Sequence, residues 1–247
     1  MSERIFLAGA TGAIGSALIP LLREAGYEVH GSTRQPERAA ALEARGVKPV
    51  LVDVFDAQAL KVALVRIAPH GVIHQLTDLP RGLDPARMAE ATARNARVRT
   101  EGTRNLVEAA RAAGAVRMVA QSIAWAYAPG PKPHAEAQPL DTEAEGARRI
   151  SVGGVVALEQ AVLHAPGITG TVLRYGQLYG PGTGADEPKG ASPVHVEAAA
   201  WAALLAWRHS AGGVFNIAED NPEVDSGKAR RLLGWTPSMR LGAEARL

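Results

Sequence analysis

The stretch "FLAGATGAIGSAL" (residues 6–18) decides how the chain is read. An apolar run ends at Gly9, and Gly12 and Gly15 follow before an amphipathic run begins. Glycine at these points permits a tight turn, close approach of backbone to a pyrophosphate, and close helix–sheet packing. The helix starting there turns unpaired N–H groups and a favourable dipole toward an anion. Strand, loop and helix stand in the right order at the head of an alternating chain, so the stretch reads as a dinucleotide phosphate loop. Its candidate cofactor-binding residues are Gly9, Thr11, Gly12, Ala13, Ile14 and Gly15.

The alternation continues outward from this loop. β-Branched runs predict strands over 4–8, 28–31, 50–52, 71–76, 116–121, 170–175 and 213–217. Ala/Leu/Arg-rich runs predict helices over 14–25, 36–45, 57–67, 85–113, 142–164, 196–209 and 226–233. Strands alternating with helices imply an α/β fold, a Rossmann-type doubly wound parallel sheet covered on both faces. The expected organisation is one domain over 1–247, with a small substrate cap formed mainly by 177–195 and 218–247.

At 247 residues and 47% hydrophobic, the chain can bury a sizeable core. Its net charge of +2 comes without a basic block interleaved with aromatics, which argues against nucleic acid as a partner. No cysteine is present, so disulfides, thiolate catalysis and Cys-ligated metal are excluded. No apolar run reaches the ~18 residues of a membrane span, and a cytoplasmic location is expected. His74 has no second ligand at a suitable spacing, so no metal site is expected.

Beyond the glycine loop, "GTRNLVEAARAAG" (102–114), "GTVLRYGQLYGPGTG" (170–184), "SPVHVEAAAWAALLA" (192–206), "GVFNIAED" and "KARRLLGWTP" follow in order. Together they resemble the short-chain dehydrogenase/reductase superfamily, in its extended, NAD-dependent epimerase/dehydratase-like branch. The resemblance covers nearly the whole chain. It implies a nicotinamide cofactor, a substrate loop after the sixth strand, and a two-fold homodimer built from helices near 85–113 and 142–164. It also implies that Asp53, with Val54, meets the adenine edge.

An acid after the second strand would bind the ribose 2′-OH of NAD, whereas arginine there suits the 2′-phosphate of NADP. The chain reads "HGSTRQPER", with Thr33 and Arg34 at that point and no acid before Glu37. A guanidinium grips a phosphate in bidentate fashion and a carboxylate would repel it, so NADP(H) is preferred, with NAD(H) second. Gln75 and Leu76, at the end of the fourth strand, are expected beside the cofactor.

In the family, a tyrosine acts as acid/base, and a lysine four residues later lowers its pKa and holds the nicotinamide ribose. Here "RRISVGGVVALEQAVL" (148–163) resembles that helix, with Glu159 matching a glutamate of the motif. Counting back places Val155 at the lysine position and Ser151 at the tyrosine position. Residues 140–166 contain no tyrosine and 133–188 no lysine, so the loss is independent of register. Ser122 and Tyr127, after the fifth strand, are the candidate catalytic residues; they stand five apart, where the family spacing is four. Trp125, Ser151, Arg174, Tyr175 and Tyr179 are the candidate substrate-binding residues. His195 reads either as an acid/base or as a helix cap.

These features point to an NADP(H)-dependent oxidoreductase acting on a small organic substrate: a ketone, an imine or an activated alkene. A non-catalytic dinucleotide-binding sensor is the alternative of a different class. An epimerase or dehydratase rests on fold analogy alone.

Overall fold

Three consecutive residues of the first strand, Ile5, Phe6 and Leu7, are fully buried, so both faces of that strand are covered. Such doubly covered strands belong to parallel sheets in α/β proteins. A computed structural model describes residues 2–80 and 85–242. Its strands are β1 (Arg4–Ala8), β2 (Glu28–Thr33), β3 (Lys48–Leu51), β4 (Gly71–His74), β5 (Arg117–Ile123), β6 (Thr169–Tyr175), β7 (Gln177–Tyr179), β8 (Pro193–His195) and β9 (Gly213–Ile217). Seven of them form one parallel sheet in the order β3-β2-β1-β4-β5-β6-β9.

The helices are α1 (Ala13–Glu24), α2 (Ala39–Ala44), α3 (Ala57–Ile67), α4 (Pro85–Arg97), α5 (Thr103–Ala112), α6 (Gly146–Leu163), α7 (Val196–His209) and α8 (Gly227–Leu233). On one face, α1 packs on α7 over a core that includes Leu18, Ile19, Phe215 and Trp207. The alanines of α7, among them Ala199, Ala202, Ala203 and Ala206, are buried and let that helix lie close to the strands. On the other face, α3 packs on α5 over Phe6, Leu64, Leu106 and Met118.

The helix expected over 85–113 is interrupted. Between α4 and α5 the chain makes a π-helical turn, Val98–Gly102, which buries Val98, Arg99 and Gly102. A second departure lies in the segment expected to be loop: β7 and β8 pair in parallel as a small separate sheet. Of the expected cap, 218–242 contains α8, and 243–247 lies outside the described residues.

The chain runs from β1 outward to β3, then returns to β4 on the other side of β1. At that reversal the loops leaving β1 and β4 diverge and open a crevice at the carboxyl ends of the strands, where ligands bind in such folds.

Candidate active site

The crevice is a cavity of about 1810 Å³ that runs from the glycine loop to the loops after β5 and β6. Single drug-sized pockets span roughly 300–1,000 Å³, so this one can take a dinucleotide and a small substrate together.

At its β1 end the loop geometry leaves no freedom. Gly9 has φ of 87°, and a Cβ there would meet the Gln75 carbonyl oxygen at 2.6 Å; one at Gly15 would meet the Gly9 oxygen at 2.1 Å. Both glycines serve the protein's own packing. Gly12 differs: a Cβ there would touch only the Gly9 oxygen, at 3.4 Å. Gly12 caps α1 without a side-chain hydrogen bond, and no acid sits in the first turn. This leaves the N–H groups of the helix start turned toward the cavity, as an anion requires. Gly9, Thr11, Gly12 and Ala13 line the cavity, while Ile14 and Gly15 are buried in α1 beneath it.

After β2, Ser32, Thr33 and Arg34 line the same cavity, and so does Arg38, which the sequence reading passed over. Arg38 Nη1 donates to Thr11 Oγ1 at 3.3 Å. Arg34 Nη1 stands 3.9 Å from Asp53 Oδ2. Two guanidinium groups thus flank the end of β2. Asp53 itself does not line the cavity, although Val54 does; its Oδ1 accepts from the Phe55 N–H at 2.9 Å.

At the end of β4, Gln75 and Leu76 line the cavity. Gln75 is 4% exposed, and neither its Oε1 nor its Nε2 makes a well-aligned hydrogen bond, although the Tyr175 hydroxyl stands beside the amide. A buried amide without well-aligned partners costs about 1–3 kcal/mol, which a ligand presenting a donor and an acceptor would recover. Together with the open glycine loop and the paired arginines, this makes the crevice fit a nicotinamide dinucleotide. Behind Gln75, His74 Nε2 meets Thr103 Oγ1 at 3.0 Å. Burial is the main cause that pushes the His74 pKa down to about 4, with the Arg99 charge adding to it.

The structure rearranges the expected catalytic and substrate residues. Ser122 lines the cavity, but its hydroxyl donates to Glu159 Oε1 at 2.7 Å. Arg174 is turned inward as well. Its Nε and Nη2 donate to Glu159 at 2.9 and 2.7 Å, making a buried ion pair rather than a substrate contact. Tyr127 is outside the cavity lining. Its ring stacks on His134, the Arg174 guanidinium lies over it, and its hydroxyl donates to Asn216 Oδ1 at 2.7 Å. Burial raises its pKa further from neutrality. Tyr127 therefore does not stand where it could hand a proton to a bound substrate, contrary to the expectation from sequence.

Tyr179 is also outside the lining and donates to Glu219 Oε1 at 2.7 Å. Tyr175 does line the cavity, but its hydroxyl donates to the Ala199 carbonyl at 3.2 Å. His195 caps α7, its Nδ1 accepting from the Glu197 N–H at 3.2 Å. Trp125 and Ser151, expected to bind substrate, line the cavity.

Two positions missed from sequence complete the inner wall. Ile123 stands four residues before Tyr127, at the family spacing, and lines the cavity. It packs with Val152, Val155 and Ala126 in an apolar cluster. Hydrocarbon thus backs this part of the wall. Arg99, in the π turn, also lines the cavity. Nothing in the local pattern of "ARNARVRTEG" separates it from solvent-facing helix arginines. Among the described residues no group of His, Cys, Asp or Glu is arranged to hold a metal ion.

A 3-diazoavenalumate denitrifying reductase from Streptomyces is 39% identical to this chain, over 94% of this chain and 88% of its own length. A UDP-glucose 4-epimerase from Thermotoga maritima, solved with UDP-glucose, superposes with a TM-score of 0.77 at 19% identity, over 96% of this chain and 94% of its own. A UDP-glucose 4-epimerase from Thermus thermophilus in complex with NAD superposes at 0.72 and 20%, over 95% of this chain and 85% of its own. The family model described as NAD dependent epimerase/dehydratase matches residues 5–208. With that span matched and the glycine loop and crevice in place, the chain is an NAD(P)-dependent enzyme that belongs to the NAD dependent epimerase/dehydratase family.

Proposed function

We propose that the protein is an NADP(H)-dependent reductase that delivers a hydride to a small, strongly electrophilic organic substrate whose reduction needs no acid from the enzyme. One observation carries this reading. The hydroxyls of Tyr127, Tyr175 and Tyr179 are all engaged by Asn216, Ala199 and Glu219, and Ile123, which lines the cavity, is backed by Val152 and Val155.

Bound NADPH would supply the hydride. The glycine loop would hold its pyrophosphate, Arg34 and Arg38 its 2′-phosphate, and the Gln75 amide its inner part. The chain's task is then positioning and water exclusion, which for a hydride transfer supplies much of the acceleration. A ketone leaves an alkoxide that must be protonated and so fits this site poorly. An iminium fits better, because hydride addition leaves a neutral amine; an activated alkene leaves a carbanion that would have to take its proton from water. An arenediazonium fits best, because hydride addition at the ring carbon expels dinitrogen; the arene, N₂ and oxidised cofactor balance with no proton. The diazo substrate and denitrifying chemistry in the Streptomyces relative's name support this choice. The absence of a tyrosine and a lysine from α6 weighs against epimerase or dehydratase chemistry.

The test is NADPH oxidation against a panel of ketones, iminium ions, activated alkenes and arenediazonium salts, with arene and N₂ measured as products. Turnover of the diazonium or iminium members is expected. Tight NADPH binding with no turnover on the whole panel would favour a dinucleotide sensor instead. We further propose a cytoplasmic homodimer joined through the outer faces of α4 and α6.

A further inference from the structure

The buried cation of the π turn has no matching anion. Arg99 is 6% exposed and lines the cavity, yet among the described residues no carboxylate lies within ion-pair distance of it. The nearby carboxylate is Glu159, whose field raises the Arg99 pKa while the larger effect of burial lowers it to about 10. Glu159 is already matched. Its Oε1 accepts from Ser122 Oγ and Arg174 Nε, and its Oε2 from Arg174 Nη2. Arg174 and Glu159 cancel, His74 is neutral with its pKa near 4, and one full positive charge remains at the inner end of the cavity. A buried charge is tolerated where it is paired, so the missing partner is to be sought in a ligand.

The position separates two anionic sources. The phosphate loop follows β1, whereas the π turn packs on α6, whose Ser151 lines the cavity and whose Glu159 is bonded to Ser122 on β5, two strands further along the sheet. The guanidinium therefore belongs to the substrate end of the crevice. There Trp125, 42% exposed, also lines the cavity and offers an aromatic face. We infer that Arg99 is the specificity-determining residue of the substrate pocket and binds the carboxylate of a flat aromatic acid whose ring lies against Trp125. A carboxylate accepts the two parallel N–H donors of a guanidinium, a geometry lysine cannot supply. This deepens the reductase reading and rests on it for the identity of the pocket.

The experiment is calorimetric titration of the enzyme–NADP⁺ complex with cinnamate and with neutral cinnamamide, which separates anion binding from turnover. The wild type should prefer cinnamate by about 10- to 100-fold, the scale of one charge-assisted pair. Arg99→Gln should abolish the preference, Arg99→Lys should keep part of it, and Trp125→Ala should weaken both ligands alike. Circular dichroism checks that each variant is folded. A wild type without the preference overturns the inference, whatever the variants do. A loss in Arg99→Gln that appears in NADP⁺ affinity instead would place the guanidinium on the cofactor phosphates and overturn it as well. If no diazonium or iminium salt is turned over while the Arg99-dependent preference stands, the reaction class falls and the anion site survives.

Discussion

Single side chains carry the two sharpest claims about the cofactor and the chemistry. Arg34 and Arg38 flank the end of β2, and among the described residues Asp53, at 3.9 Å, is the carboxylate within ion-pair distance of Arg34. An exposed pair at that distance contributes little, so Arg34 is available to a phosphate. Arg34→Asp is expected to reverse the preference from NADPH toward NADH, because a carboxylate there accepts from a ribose hydroxyl and repels a phosphate. Fluorescence titration with both cofactors measures this, and a wild type that already prefers NADH would refute it. Tyr127→Phe tests the other claim. The phenol is bonded to Asn216 rather than aimed at the cavity, so its loss should lower stability by about 1–3 kcal/mol through an orphaned buried acceptor while turnover persists. A variant that folds normally but loses turnover would return Tyr127 to the catalytic machinery. One more residue-level device lies in α1, where Pro20 cannot donate to the Ser16 carbonyl. Arg45 Nη2 donates to that oxygen at 2.6 Å instead.

Among the elements, α6 and the π turn shape the inner pocket. Val155 is fully buried in α6 and packs with Ile123. Installing the family pair as Ser151→Tyr with Val155→Lys would drive a charge and extra volume into that cluster. Overpacking alone costs ~1–3 kcal/mol, and the desolvated ammonium adds to it. The double variant is expected to melt at lower temperature and to lose native activity without gaining carbonyl reduction. Efficient ketone reduction by it would mean that the site is a conventional one lacking only two side chains. The adjacent glycines of α6 divide their roles. A Cβ at Gly154 would come within 3.1 Å of the Ala96 Cα, so Gly154 lets α4 and α6 approach within the chain. A Cβ at Gly153 would meet nothing within 4 Å among the described residues.

At the scale of the molecule, that open Gly153 and Ile150, 47% exposed on the same helix, form the outer face assigned to the homodimer. Solution scattering should return a dimer mass, and Ile150→Glu with Gly153→Arg should shift it to monomer. A wild-type monomer mass at all concentrations would reject the assignment. Stability should also depend on pH through His74. Its folded pKa of about 4 lies below the usual 6.5, so the unfolded chain takes up the proton first. The folded state keeps its full stability above about pH 6.5 and loses it as pH falls toward 4, by roughly 3 kcal/mol over the window. Urea unfolding across this range measures the slope, which should shrink in His74→Asn; an unchanged slope would show that other groups dominate.

Local chemistry made the frame legible from sequence. The glycine loop, the alternation of runs and the extents of α3 and α7 depend on spacing within one element, so composition and periodicity suffice. Gly26 and Gly114 stand just past the ends of α1 and α5, where a left-handed residue closes a helix, with φ of 83° and 74°. The absence of tyrosine and lysine from α6 is likewise a fact of the chain, independent of how it folds. The π turn could not be read, because "ARVRTEG" is as good a sequence for an unbroken helix, and only packing on Val54 and α6 decides the extra residue per turn. The β7–β8 pair was hidden for a similar reason, since each strand has three residues in Gly- and Pro-rich sequence and exists through its partner. Much of the cavity lining was legible, Gln75, Trp125 and Ser151 included, but not which polar groups there stay free. Tyr127 turns to an asparagine 89 positions away, Arg174 turns to Glu159, and Arg99 turns into the cavity. Which polar groups find partners and which are left for a ligand is settled by contacts distant in sequence, and that is why the tertiary structure alone decided the chemistry of the pocket.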